Sequence, residues 1–263
     1  MKNTRIISVA NQKGGVGKTT SVVNIGAALA MKGYDVLLID LDTQESLSNF
    51  FGIYSAENSI ADLMCKTIKH EPIDLADYIV YNEKNKISII PSELNRMNAI
   101  EKDLIPVRSR ETVLKRTLSS LRGKYDYILL DCPASLNVIL DNALTASDYV
   151  IIPCEAMPLS YAAVPNLLLQ ISDIQAEINP ELAVLGIFPT KTDNTTNTAM
   201  TVQMLKDNYP DDMFAVDISR TSATANSALA EKAVVLSFSK KNKTAEQYRQ
   251  LTDEIERRIK KGA

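Results

Sequence analysis

The sequence predicts an α/β fold, a doubly wound and mostly parallel sheet flanked by helices. Apolar runs of strand length alternate along the chain with helix-period segments, an order that calls for crossover connections rather than hairpins. Several of those runs are continuously apolar, as strands covered on both faces are. With 263 residues, 45% of them apolar, there is enough material to bury one large core of this kind. No stretch reads as a linker, an internal repeat or a low-complexity segment, so residues 1–263 are expected to form a single domain.

The first expected strand covers residues 6–10. It passes through Lys13-Gly14-Gly15-Val16-Gly17-Lys18-Thr19-Thr20 into a helical pattern over 19–32, which Gly33 is placed to stop. The second strand, 36–40, runs into Asp40-Leu41-Asp42-Thr43-Gln44. Further strands are expected at 87–91, 127–131, 149–153 and 184–189. Helices are expected over 111–122, with Ser109 as N-cap and Gly123 as stop, and over 136–146 and 162–177. A last helix carries Tyr248, Leu251, Ile255 and Ile259 on one narrow stripe, read as packing onto the sheet.

In a sheet of this kind ligands bind at the carboxyl ends of the strands, and the glycine loop falls there. Its glycines permit close backbone approach, so successive N–H groups can face phosphate oxygens, assisted by the positive end of the helix dipole. Lys18 is expected to reach the β and γ phosphates of a nucleotide, and the Thr19 hydroxyl to sit on Mg²⁺. Asp40 and Asp42 crowd two carboxylates at the end of the second strand, which a cation or a directed water would compensate. Asp131 closes the apolar run Tyr127-Ile128-Leu129-Leu130 and is expected to hold the same Mg²⁺ directly or through water. Thr190 and Asp193, after the sixth strand, read on their own as turn formers.

The loop departs from the usual pattern, with Gln12 where a glycine is required and a second lysine, Lys13, after it. Lys-Gly-Gly-Val-Gly-Lys-Thr-Thr resembles the deviant Walker A loop of the family of ParA partition ATPases, MinD and the nitrogenase iron protein. The resemblance extends over nearly the whole chain, through Ser109-Arg110-Glu111, Leu144 to Asp148 and Ile152-Pro153, and is greatest to the ParA/Soj branch. It implies a Mg²⁺-dependent ATP hydrolase, slow and stimulated by a partner. Lys13 would cross a homodimer interface to the other subunit's nucleotide, and Asp42 would position or activate the attacking water. Asp40 would lie near the metal shell, and Thr190 and Asp193 on the adenine side.

The family further implies plasmid or chromosome partition, non-specific DNA binding in the ATP state and a ParB-like centromere-binding partner. Only five residues precede the first strand, so the N-terminal helix-turn-helix extension of larger partition ATPases is not expected. Typical basic positions of the family are held here by Thr195 and Ala223, and Ala134 replaces a proline after Asp131. Arg220, Lys240, Lys241 and Lys243, with Arg257, Arg258, Lys260 and Lys261, are candidates for a replacement DNA-binding patch. From Leu236 onward eight Lys or Arg face four Asp or Glu, leaving −7 for the rest of a chain of net charge −3. A solvated helix face is the plainer reading of that run.

Other classes are disfavoured. Cys65, Cys132 and Cys154 form no CxxC and, with the single His70, make a poor metal set. The amino-terminal apolar stretch is too short for a signal peptide, and no segment approaches the ~20 apolar residues of a spanning helix. A cytoplasmic, nucleoid-associated protein without stable membrane association is expected. The alternatives are a MinD-like membrane-associated ATPase and a ParA-like ATPase that positions a protein cargo.

Overall fold

The structure is a computed structural model that describes residues 2–236 and 242–262. The chain runs β1 (Arg5–Val9), α1 (Lys18–Met31), β2 (Val36–Asp40), α2 (Ser46–Phe50), α3 (Ile60–Lys69), β3 (Val80–Asn82), β4 (Ile87–Ile90) and α4 (Leu94–Leu104). It continues through α5 (Val113–Leu118), β5 (Tyr127–Asp131), α6 (Val138–Ala146), β6 (Tyr149–Glu155), α7 (Pro158–Tyr161) and α8 (Val164–Glu177). Then come β7 (Ala183–Thr192), α9 (Thr196–Asn208), β8 (Ile218–Ser219), α10 (Ser222–Leu229) and α11 (Lys243–Lys261).

These eight strands form one sheet in the order β3-β4-β2-β5-β1-β6-β7-β8, parallel throughout except where β3 pairs antiparallel with β4. The expected doubly wound sheet is therefore present, and its two faces build two cores. Side chains alternate across the pleat: Ile6, Leu37, Ile39, Ile128 and Leu130 face one core with α3 to α6 and α8. Ile7, Leu38 and Leu129 face the other, with α1 and α11. At Gly26 of α1 an added Cβ would lie 2.8 Å from Leu38 Cδ2, so the missing side chain lets α1 settle against β2.

All six expected strands are found, and Gly33 and Gly123 close their segments at φ 90° and 86°. The expected helix over 111–122 is shorter, consisting of α5 between two 3₁₀ turns, Arg110–Thr112 and Ser119–Leu121. Ser109 makes no side-chain cap there. The α5 N-terminus is served from elsewhere, as the Leu114 amide donates to Asn142 Oδ1 of α6 at 2.9 Å.

The stripe on α11 is buried, with Tyr248, Leu251 and Ile255 nearly inaccessible and Ile259 only slightly less so. Tyr248 Oη lies 3.3 Å from Ser21 Oγ of α1. A helix whose apolar face is spent this way has none left for a bilayer, which removes the basis for MinD-like docking through it. Among the described residues no helix is long and apolar enough to cross a membrane. Cys132 and Cys154 are buried, and no cluster of metal-binding side chains occurs among the described residues.

Candidate functional site

Three parallel strands, β2, β5 and β1, deliver their carboxyl ends to one edge of the sheet. Asp40 and Val9 are both register partners of Asp131. The loop leaving β1 lies over this edge and forms one wall of a cavity of about 990 Å³. Gly14, Gly15, Gly17, Lys18, Thr19, Thr20 and Asp42 line it, so most of the predicted loop converges on one space.

The loop is held from below. Gly15 and Gly17 take φ of 76° and 95°, left-handed values that turn successive amides toward the same side. Val16 between them is fully buried and so contributes only backbone. Asn11 accepts from the Lys13 amide at 2.9 Å and donates to the Pro153 carbonyl at 2.8 Å, pinning the loop's start to β6. The Thr190 hydroxyl donates to the Val16 carbonyl at 2.7 Å. Thr190, whose side chain is buried, thus supports the phosphate loop. Asp193 is exposed beside the start of α9. Its carboxylate accepts from Thr195 and Thr198 at the start of α9, and these bonds hold it down at about 2.

The three aspartates have distinct environments. Asp131 Oδ2 accepts from the Thr19 hydroxyl at 2.7 Å, while its buried Oδ1 has no partner. Burial, then the neighbouring Asp40 charge, raises its carboxyl well above the usual range. An orphaned buried carboxylate oxygen next to a hydroxyl is a fitting half-shell for Mg²⁺, whose charge would reverse that penalty. Asp40 is engaged instead by protein donors: Oδ2 accepts from the Ser48 amide and hydroxyl at 2.8 and 2.7 Å, and Oδ1 from the Asp42 amide. Burial nevertheless pushes it up to about 6. These bonds make Asp40 a clamp on α2 and on Asp42, while its register pairing sets it beside Asp131, the expected metal ligand. Asp42 is half-buried, lines the cavity and accepts from the Gln44 amide at 3.0 Å.

The two loop lysines diverge. Lys18, 6% exposed, stays beneath the loop with Nζ 3.5 Å from the Lys13 carbonyl. Lys13 turns away from the cavity, donating to Ser160 Oγ at 3.0 Å and standing 3.8 Å from Glu155 Oε2. Glu155 went unremarked in the sequence, although it ends an apolar strand just as Asp131 does. Glu101 of α4 and Lys191 of β7 also line the cavity and carried no local signal.

Among the candidates for a basic patch, Arg220 lies 3.5 Å from Glu155 Oε1. Lys243 is exposed at the start of α11, whereas Lys240 and Lys241 lie outside the described residues. Arg258 is removed from the patch. It donates to the Leu185 carbonyl at 2.6 Å and to Glu254 Oε1 at 2.8 Å, and its guanidinium sits 4.3 Å from the Phe214 ring centroid.

Comparison with known proteins agrees with this geometry. The AAA_31 family, described as an AAA domain, matches residues 4–184. The sporulation initiation inhibitor protein Soj of Bacillus subtilis is 34% identical over 254 residues, covering 95% of this chain and 98% of its own. The chain belongs to the ParA/Soj-type P-loop ATPases. The chromosome partitioning protein ParA of Caulobacter vibrioides is 32% identical over 239 residues, 88% of this chain and 86% of its own. A solved structure named as cobyrinic acid a,c-diamide synthase from Mycobacterium smegmatis, with bound ATP analog and magnesium, superposes with a TM-score of 0.84. It is 33% identical and covers 99% of this chain and 97% of its own. Membership gives a ParA-like positioning ATPase. In this chain the cavity that the loop, Lys18 and Thr19 line lies over the strand ends that carry Asp40 and Asp131.

Proposed function

We propose that this chain is an ATP-driven dimerising switch for plasmid or chromosome partition. In this reading it binds DNA without sequence preference in the ATP state and releases it when a ParB-like partner stimulates hydrolysis. The observation that carries the reading is the direction of Lys13. The other phosphate-binding parts face the subunit's own cavity, while this ammonium points out of it toward Glu155 and Ser160. A lysine so placed suits a nucleotide held by a second copy, acting as a charge supplied in trans.

In each subunit the loop amides and Lys18 would bind and orient the phosphates. Thr19 and Asp131 would hold Mg²⁺, which when bound neutralises charge on the phosphates. Asp42, fixed by Asp40 through its amide, would accept a hydrogen bond from the attacking water and align it. Phosphoryl transfer needs this positioning and neutralisation more than covalent help. DNA contact would come from exposed basic residues such as Arg220 and Lys243, with Lys240 and Lys241. We further propose that the whole chain acts as one unit in the cytoplasm, associated with the nucleoid.

Retention on non-specific DNA and on anionic liposomes, with and without ATP and across a salt series, tests this reading. The expected result is DNA retention that requires ATP, falls steeply with salt and is lost in Lys13→Ala. Retention on neither surface would point to a protein cargo. Turnover that depends on an added carboxylic acid and amine donor would instead place the chain with the synthase-named relative.

A further inference from the structure

Glu155 is shared among more cations than it can neutralise. It closes β6 and is 8% exposed. Lys13 Nζ lies 3.8 Å from its Oε2, while Lys191 Nζ at 3.4 Å and Arg220 at 3.5 Å divide its Oε1. Three positive charges against one leave an excess beside a loop whose amides already gather anions. Of the three, Lys191 lines the cavity, and its ammonium stands 4.0 Å from where a Cβ on Gly15 would be.

The backbone gives this lysine its direction. β7 pairs with β8 through Thr190 and Thr192, and the register shifts between them. Lys191, the residue between, has φ 54°, a left-handed value that a long side chain rarely adopts. A bulge re-aims one side chain out of the strand's alternation, and such strain persists where the surrounding structure imposes it. Here it keeps Thr190 beneath the loop, bonded to the Val16 carbonyl, and turns the next side chain toward Gly15.

We propose that Lys191 is a phosphate-contacting residue of the nucleotide site, supplied in cis. Its ammonium moves from Glu155 to the terminal phosphates when nucleotide enters, and Arg220 remains as the partner of Glu155 Oε1. Glu155 is then a counter-charge that keeps Lys13 and Lys191 from repelling each other in the empty site, and that competes with phosphate for both. The inference rests on the reading that this loop takes Mg²⁺-ATP.

Isothermal titration with ATP and with ADP, in Mg²⁺, tests it. Lys191→Met keeps the length and drops the charge, and is expected to weaken ATP binding about tenfold, the scale of one charge-assisted contact. The loss should shrink as salt rises, and Lys191→Arg should restore most of the affinity. Glu155→Gln should tighten binding by freeing both lysines. Lys191→Gly relieves the left-handed backbone, so it should melt no lower than the parent while losing the same affinity, which separates contact from stability. Unchanged ATP affinity in Lys191→Met and Lys191→Gly overturns the proposal, as does weaker binding in Glu155→Gln. Lys18→Ala is the check on the underlying site. Full ATP binding in that variant would overturn the site itself, whereas loss there with Lys191→Met unaffected overturns only the role of Lys191.

Discussion

Replacing Asp131 by Asn is expected to make the empty protein more stable and, at the same time, unable to take Mg²⁺-ATP. Asp131 is 1% exposed, one of its oxygens has no partner, and Asp40 is its register neighbour on β2. Asn keeps an oxygen for the Thr19 hydroxyl and removes the charge. The Asp40 shift alone, from 3.8 to about 6, corresponds to about 3 kcal/mol of unfavourable ionisation. Asp131 is pushed in the same direction, by burial and then by the Asp40 charge, so its neutralisation should be stabilising. For a chain of this size each ~1 kcal/mol recovered raises Tm by about 2–4 °C, and a rise is expected by calorimetry near pH 8. A carboxyl whose folded pKa is raised costs nothing below its unfolded value, and the cost grows as pH rises from there through the folded pKa. The gap between variant and parent should therefore close near pH 4 and widen as pH rises toward 8. Mg²⁺ with ATP should raise the Tm of the parent and leave the variant unmoved. A variant that melts below the parent near pH 8, or a gap independent of pH, would refute the reasoning.

Two further substitutions separate roles that lie close together in the chain. Asp42→Ala should slow ATP turnover by about 100-fold or more, the range of a lost water-positioning group, while gel filtration still finds the ATP-dependent dimer. Loss of that dimer would count against the role given to Asp42. Arg258→Ala removes several hydrogen bonds and a cation–π contact from the back of β7. It should lower unfolding stability by about 2–4 kcal/mol in a urea titration. An unchanged midpoint there would return Arg258 to the pool of free surface charge.

Strands buried on both faces announce themselves through uninterrupted apolar runs, which is why all six that were expected are found. β3 and β8 went unseen because they are short edge strands, three and two residues long, whose formation depends on a neighbour. α5 is a similar case, since its N-terminal amide is satisfied by Asn142, a residue 28 positions away. The phosphate loop was legible because a local run of glycines must carry its function. Asp131 was legible because an acid closing an apolar strand is costly. Glu155 obeys that second rule and was open to the same inference. Lys191 obeys no local rule, since its direction comes from a bulge set by pairing with β8. The positively charged tail shows the reverse error. Charge counting placed Arg258 outside, but a guanidinium can satisfy carbonyls left open by a glycine. Gly186, at φ 145°, has room for the Arg258 Nη1 only 2.7 Å from where a Cβ would stand.

The strength of the Lys13 contacts bears on whether this lysine can work as proposed. Its side chain is 29% exposed, and its partners in the empty subunit are one neutral hydroxyl and a carboxylate at 3.8 Å that two other cations also approach. An ion pair this long and this wet is worth at most about 1 kcal/mol. In the proposed dimer a terminal phosphate offered by a second copy would carry more charge than Glu155 has left to give, which would favour transfer of Lys13 across the interface. Without nucleotide, the same lysines facing each other between two subunits would oppose association. On the proposed reading, ATP would turn a repulsive face into an attractive one, and the coupling between nucleotide and dimer would follow from charge balance at Glu155.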